Sequence, residues 1–163
     1  YCAVSLLKLR LGASTVREMK ERRATVFLAN LDPSCLEELS QRFSTNEIPR
    51  ILRPEAEQRL KWHKERGDDV YLVSASFDFC LASWAKKMSV GLLTNSMDWN
   101  KGRMTAPDCN YEEKPERIGQ AVELSDYNSI YAYGDTAGDR PMLALATHPY
   151  YRYFHTGQNE NDE

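Results

Sequence analysis

The sequence feature that most constrains the fold of this chain is a short strand that ends in a glycine-bracketed turn with two aspartates. The run Ile130–Tyr133 is suited to a buried strand and leads directly into Gly134-Asp135-Thr-Ala-Gly-Asp139. Carboxylates at the carboxyl end of a buried strand suit a Mg²⁺ site beside a phosphate. The pattern therefore indicates an α/β fold and phosphoryl chemistry, whereas an ordinary turn with a capping aspartate is the structural alternative.

Strands and helices alternate in the last two thirds of the chain. The apolar run Val70–Ser74 predicts a buried parallel strand. Helices are predicted over Phe77–Met88, Glu112–Leu124 and Arg140–Ala146, with a hairpin over residues 90–106 that turns at Asn100-Lys101-Gly102. This alternation predicts a layered α/β domain with a parallel sheet.

The first third of the chain is predicted to be helical. The first predicted helix carries an apolar stripe (Val4, Leu6, Leu7, Leu11), and Ser14 or Thr15 is expected to cap the second. Asp32 is expected to cap a third helix, which begins at Pro33. A fourth helix begins at Pro54 and is expected to end at Gly67. The predicted division is a helical cap subdomain over residues 1–50, an α/β core over 51–156 and a flexible acidic tail over 157–163.

Length, net charge, cysteine spacing and the lengths of apolar runs indicate which classes of protein this chain fits. The 163 residues fit one domain, and a net charge of −3 gives no indication of nucleic-acid binding. The four cysteines are scattered without a CxxC pair, so reduced thiols in a cytoplasmic protein are expected. No apolar run is long enough for a membrane span.

Two further clusters carry candidate chemistry. Ser74-Ala75-Ser76 follows the first predicted strand and precedes a helix, where hydroxyl and N–H groups can hold an anion; a plain helix cap is the alternative. Lys114 lies near the start of a helix, where the positive end of the helix dipole disfavours a cation. Its position suggests an anionic ligand or a carboxylate partner, and an exposed lysine is the alternative.

The order of these clusters resembles the haloacid dehalogenase superfamily, in the subgroup similar to phosphoserine phosphatase (subfamily IB). The resemblance implies a Rossmannoid three-layer α/β domain with a parallel sheet and an N-terminal helical cap. It implies that Ser74, helped by the Ala75 N–H, holds the phosphoryl oxygens, and that Lys114 neutralises phosphate and nucleophile. Asp135 would be a Mg²⁺ ligand, and Asp139 would support both the metal and the lysine, so Ser74, Lys114 and Asp139 are the expected catalytic residues.

One motif of the family is missing from this sequence. The family's first motif is Asp-x-Asp-x-Thr, whose leading aspartate is the nucleophile and whose second is the general acid/base, and the chain contains no such segment. By resemblance Tyr1–Arg50 corresponds to the cap that follows this motif, so the first strand is expected upstream of Tyr1. Because that strand lies between the strands carrying Ser74 and Asp135, we expect their facing edges to be unpaired.

The expected function is Mg²⁺-dependent hydrolysis of a phosphate monoester, a small phosphorylated metabolite, through an aspartyl-phosphate, by a protein of which this chain is a truncated and inactive part. The alternative is a non-catalytic phosphate-binding or interaction module derived from the same fold. A lipid phosphate or a phosphorylated sugar would use the same residues. The basic residues of the cap are interpreted as solvated helix charges rather than substrate-recognising groups; they are Arg17, Lys20, Arg22 and Arg23.

Overall fold

A computed structural model of the chain describes residues 15–154, so the predicted apolar stripe of residues 4–11 and the acidic tail lie outside the described residues. The helices are α1 (Val16–Leu28), α2 (Pro33–Asn46), α3 (Ile48–Ile51), α4 (Pro54–Glu65), α5 (Asp78–Met88), α6 (Glu113–Ala121) and α7 (Arg140–Leu143). The strands are β1 (Tyr71–Phe77), β2 (Gly91–Asn95), β3 (Met97–Asp98), β4 (Arg103–Met104), β5 (Tyr131–Gly134) and β6 (His148–Tyr151). Short 3₁₀ turns cover Leu124–Asp126 and Ala137–Asp139.

The helix boundaries follow local signals in the sequence. Thr15 caps α1 in a capping box with Glu18, and Gly67 follows α4 with a φ of 78°, the left-handed conformation common after helix ends. Asp32 stands at the N-cap position of α2, but its side chain makes no capping hydrogen bond, so its predicted role is wrong. None of the helices within residues 15–154 is both long and apolar enough to cross a membrane.

The first sheet consists of β1 and β2, which run parallel and are connected by α5. The predicted hairpin over residues 90–106 was wrong for its first part, because Gly91–Asn95 pairs with β1 instead. Only β3 and β4 form the antiparallel hairpin, with Gly102 in its turn at a φ of 61°. The register between β1 and β2 shifts between Val73 and Phe77, so the chain bulges at residues 74–76.

The second parallel sheet consists of β5 and β6. The sequence pattern predicted β5 but did not identify β6 as a strand. Its side chains are mainly aromatic: the rings of Tyr131 and His148 stack at 4.4 Å, and those of Tyr133 and Tyr150 stack at 5.0 Å. Cross-strand aromatic pairs of this kind stabilise a sheet beyond the area they bury.

The two parallel sheets remain separate within the described residues, since no strand pairs with the second edge of β1 or of β5. A groove of about 620 Å³ lies between these edges. Its walls carry apolar side chains from α4, α6 and α7, among them Leu60, Ile118 and Met142. Within residues 15–154 the expected unpaired edges are therefore present, and the groove lies between them.

Helix α1 lies against the β3–β4 hairpin, at the carboxyl end of β1. Ala24 packs with Met97 and Met104 in a small buried cluster. The Glu21 carboxylate accepts a hydrogen bond from the Met104 N–H (2.9 Å), and Arg17 donates to the Met104 carbonyl oxygen (3.2 Å). These two bonds satisfy both backbone groups of a hairpin residue and fix the position of the helix.

Candidate functional site

Residues 74–76 form the bulge within β1, whereas the sequence predicted that they follow the strand. The bulge presents a serine hydroxyl and backbone groups near the carboxyl end of β1. The Ser74 Oγ accepts a hydrogen bond from the Ser76 N–H at 3.1 Å. Helix α5 begins at Asp78, four residues after Ser74, with Phe77 at its N-cap position and no side-chain cap. Ser74 and Ser76 therefore do not cap the helix, and the plain-cap alternative is wrong.

Lys114 is 5% exposed, so the alternative of an exposed lysine is wrong. Its Nζ donates to Asp139 Oδ1 at 2.6 Å and to the Val73 carbonyl oxygen at 3.1 Å. The lysine thus connects β1 to the turn after β5. The turn before α6 aids this placement, because Tyr111 adopts a left-handed φ of 47° and its N–H donates to the Gly138 carbonyl oxygen at 3.1 Å.

Asp139 is the organising carboxylate of the turn after β5. Its Oδ2 accepts hydrogen bonds from the Asp135 N–H (3.1 Å), the Thr136 N–H (2.9 Å) and the Thr136 hydroxyl (2.7 Å). Burial raises the pKa of Asp139, but the hydrogen bonds from Lys114 and Thr136 outweigh burial and lower that pKa to about 2. Asp139 is therefore ionised across the physiological range.

The glycines of this turn are required by close approach. A Cβ on Gly134 would lie 2.5 Å from the Asp139 Cβ, and a Cβ on Gly138 would lie 2.0 Å from the Asn110 Oδ1. A side chain on Gly134 would push Asp139 away from its position, whereas a side chain on Gly138 would require the Asn110 side chain to move. Gly134 therefore allows Asp139 to lie close to the end of its own strand, and Gly138 allows the close approach of Asn110.

Asp135 lies at the mouth of a cavity of about 380 Å³ that Ser74, Lys114 and Asp139 also line. Its side chain is 42% exposed, and its Oδ2 lies 3.6 Å from an Arg53 nitrogen. All five sequence-predicted site residues line this cavity; they are Ser74, Ala75, Lys114, Asp135 and Asp139. Sequence reasoning assigned them to one site, and the structure brings them together.

The donor set fits Mg²⁺ only in part. Mg²⁺ typically binds through one or two carboxylates and completes its coordination with water and substrate phosphate. Asp135 and Asp139 supply two carboxylates, although both oxygens of Asp139 already accept hydrogen bonds. Within residues 15–154 no group of three or more acidic, histidine or cysteine side chains clusters as a metal site would. Asp135 is the carboxylate best placed to hold the ion.

Sequence reasoning missed three residues that support the bulge of β1; they are Lys20, Asn95 and Asp108. Lys20 donates from Nζ to the Ala75 carbonyl oxygen at 3.0 Å and to both Asp108 oxygens at 2.8 Å. Asn95 donates from Nδ2 to the Ala75 carbonyl oxygen at 2.8 Å and to Asp108 Oδ1 at 2.7 Å. The interpretation of Lys20 as a solvated helix charge was therefore wrong. Polar residues at the end of the apolar run Gly91–Leu93 were the available signal for Asn95.

His63 is buried beside the second sheet. Its Nδ1 lies 2.8 Å from Asp68 Oδ2 and its Nε2 lies 2.9 Å from the Tyr133 hydroxyl. The hydrogen bond with His63 lowers the pKa of Asp68. Both ring nitrogens of His63 are thus engaged in hydrogen bonds within the fold.

Comparison with known proteins places these features in a family. The haloacid dehalogenase-like hydrolase family matches residues 2–144. Protein CicA from two strains of Caulobacter vibrioides is 29% identical over 143 residues, which cover 84% of this chain. The aligned part is 64% of the length of those curated relatives, so the chain spans less than two thirds of them.

A crystal structure of a protein of unknown function from Bordetella pertussis Tohama I shares the fold. It superposes with a TM-score of 0.74 at 24% sequence identity, over 89% of this chain and 69% of that one. The α/β architecture expected from the sequence is thereby confirmed. The family match covers most of the chain, including every residue of the candidate site, and the chain belongs to the haloacid dehalogenase-like hydrolase family.

Proposed function

We propose that the complete protein is a Mg²⁺-dependent phosphatase that hydrolyses a phosphate monoester through an aspartyl-phosphate, and that residues 1–163 alone are inactive. The observation that carries the proposal is the convergence of Ser74, Lys114, Asp135 and Asp139 on one cavity of about 380 Å³. The substrate class is a small phosphorylated metabolite, because a cavity of this size accepts a small ligand.

The residues of this chain would act by electrostatic stabilisation. The Ser74 hydroxyl and the Lys114 ammonium are donors that can face the oxygens of a phosphoryl group. Asp139 holds the buried Lys114 ammonium in place through their 2.6 Å contact. Mg²⁺, held through Asp135, would supply charge neutralisation for the same oxygens.

The groove between β1 and β5 supports the second half of the proposal. The groove is lined by residues of both β1 and β5, so we expect one additional parallel strand to pair with both edges. Its carboxyl end would lie beside Ser74 and Asp135, where an attacking aspartate is needed. No Asp-x-Asp-x-Thr segment occurs in the 163 residues. Without a nucleophile the phosphoryl-binding groups cannot form the covalent intermediate.

Turnover of p-nitrophenyl phosphate with Mg²⁺ tests this proposal. We expect none from residues 1–163, and turnover from a protein in which an upstream Asp-x-Asp-x-Thr strand is restored. Asp135→Asn in the restored protein should abolish that turnover, whereas Glu65→Gln, at an exposed site on α4, should leave it unchanged. Turnover by residues 1–163 that disappears with Asp135→Asn would contradict the inactivity of this chain.

The alternative is a non-catalytic phosphate-binding module with the same anion site. Ser74, Lys114 and Asp139, which line the same cavity, would serve such a module equally. The same experiment separates the two, because a binding module would take up inorganic phosphate but give no turnover after the strand is restored. A lipid phosphate or a phosphorylated sugar as substrate would be distinguished by a substrate screen on the restored protein.

A further inference from the structure

We propose that Lys20 is a positioning residue that sets the orientation of the Ser74 hydroxyl, acting through the peptide group between Ala75 and Ser76. The proposal rests on the proposed function insofar as Ser74 holds a phosphoryl oxygen. Lys20 belongs to α1, in the helical part of the chain, and reaches 55 residues along the sequence to the Ala75 carbonyl oxygen.

The first step is that one planar unit connects the lysine to the serine. The Ala75 carbonyl and the Ser76 N–H belong to the same peptide group, which is rigid and planar. Lys20 and Asn95 both donate to its oxygen, at 3.0 and 2.8 Å, and its N–H donates to the Ser74 Oγ at 3.1 Å. Because the oxygen is held from two donors, the direction of the opposite N–H is also held.

The second step concerns the serine itself. A hydroxyl has one hydrogen to donate and two lone pairs to accept. Since the Ser76 N–H occupies an acceptor position of the Ser74 Oγ, the hydroxyl hydrogen is free to point at a bound oxyanion. Strand β1 bulges at this point, so the conformation of residues 74–76 is not fixed by pairing with β2. The side-chain contacts to the Ala75 carbonyl supply the missing constraint.

The third step is that Lys20 is itself held in place. Its Nζ contacts both oxygens of Asp108 at 2.8 Å, and the two side chains are 26% and 16% exposed. Asn95 is 1% exposed and accepts a hydrogen bond from the Cys109 N–H at 2.8 Å. Partial burial makes such contacts stronger than those of exposed ion pairs. Lys20 is thus a rigid part of a network rather than a mobile surface charge.

The test uses the full chain and two measurements, amide exchange of Ser76 by NMR and the affinity for inorganic phosphate with Mg²⁺. Lys20→Met should speed Ser76 exchange and weaken phosphate binding, each about tenfold, which is the effect of losing one charge-assisted hydrogen bond. Lys20→Arg should recover part of both. Lys61→Met, which removes an exposed helical lysine paired with Glu65, should change neither.

The outcomes are distinguishable. Ser76 exchange and phosphate affinity that are unchanged in Lys20→Met would overturn the inference, as would weaker phosphate binding with unchanged Ser76 exchange, since the lysine would then act only through its charge. If the unmodified chain binds no phosphate, Ser76 exchange alone decides the positioning role, and turnover by the protein with the restored strand decides the proposed function. If Lys20→Met does not fold, Asp108→Asn takes its place, with the same direction expected for both measurements.

Discussion

The two parallel sheets of this protein present opposite chemistry at their carboxyl ends. The β1–β2 sheet ends in neutral donors, the Ser74 hydroxyl and the backbone of a bulge, supported by Lys20 and Asn95. The β5–β6 sheet ends in two carboxylates held by a tight glycine turn. A site for a phosphate and a cation needs both kinds of group, so neither sheet forms it alone.

The interactions within the second sheet also differ from those that connect the two sheets. The second sheet is stabilised by stacked rings and by His63, which bonds to Tyr133. The connection between the sheets, in contrast, is polar: Lys114 bonds to Val73 on one side and to Asp139 on the other. The site is therefore stabilised by a buried ion pair, whereas the strands around it are stabilised by apolar and aromatic packing.

Substitution of Asp139 should lower the free energy of unfolding more than the other changes considered below. Asp139→Asn leaves the Lys114 ammonium buried beside a neutral amide, and breaking a buried pair costs about 3 to 5 kcal/mol in the free energy of unfolding. Urea unfolding measures this loss. Glu65→Gln removes one partner of the exposed Lys61 pair and should cost less than about 0.5 kcal/mol. Equal losses in the two variants would show that the buried connection is unimportant.

Loss of the hydrogen bond between His63 and Tyr133 should lower the free energy of unfolding by a smaller amount. His63→Leu leaves the Tyr133 hydroxyl without its partner, at a cost of about 2 to 3 kcal/mol in the free energy of unfolding. Adding Tyr133→Phe removes the orphaned hydroxyl, so the double variant should be more stable than His63→Leu alone. Thermal and urea unfolding of the three proteins check this order, and a double variant less stable than His63→Leu contradicts it.

Protonation of Asp139 at low pH should lower the free energy of unfolding by the smallest amount. The pKa of Asp139 is lowered to about 2, against about 3.9 in an unfolded chain. Its stabilising contribution is therefore complete above about pH 4 and is lost as the pH falls through about 2; the loss is on the order of 2 kcal/mol. A ¹³C NMR titration of the Asp139 carboxyl group measures the pKa directly.

Thr136 offers a matched variant for this titration. Thr136→Val removes the hydroxyl that donates to Asp139 Oδ2 but keeps the shape of the side chain. The pKa of Asp139 should rise, so the loss of stability should begin at a higher pH. A pKa of Asp139 near 3.9 in the unmodified chain would contradict the role assigned to its hydrogen bonds.

Much of the local structure could be predicted from the sequence. Proline at the starts of α2 and α4, Thr15 before α1 and Gly67 after α4 are signals that act over a few residues, and the structure confirms these boundaries. Short strands were harder: β6 has only four residues, and its pairing with β5 over a separation of more than ten residues leaves no local periodicity.

What the sequence determined by itself is the set of candidate groups, Ser74, Lys114, Asp135 and Asp139, and their order, whose resemblance to the haloacid dehalogenase superfamily implied a single site. Only the tertiary structure decided which of them touch, that Lys114 is buried and shared between two sheets, and that Lys20 supports the bulge of β1. The physical reason is that capping and periodicity arise from neighbours along the chain. Burial of a charge and its choice of partner depend on residues brought together from far apart.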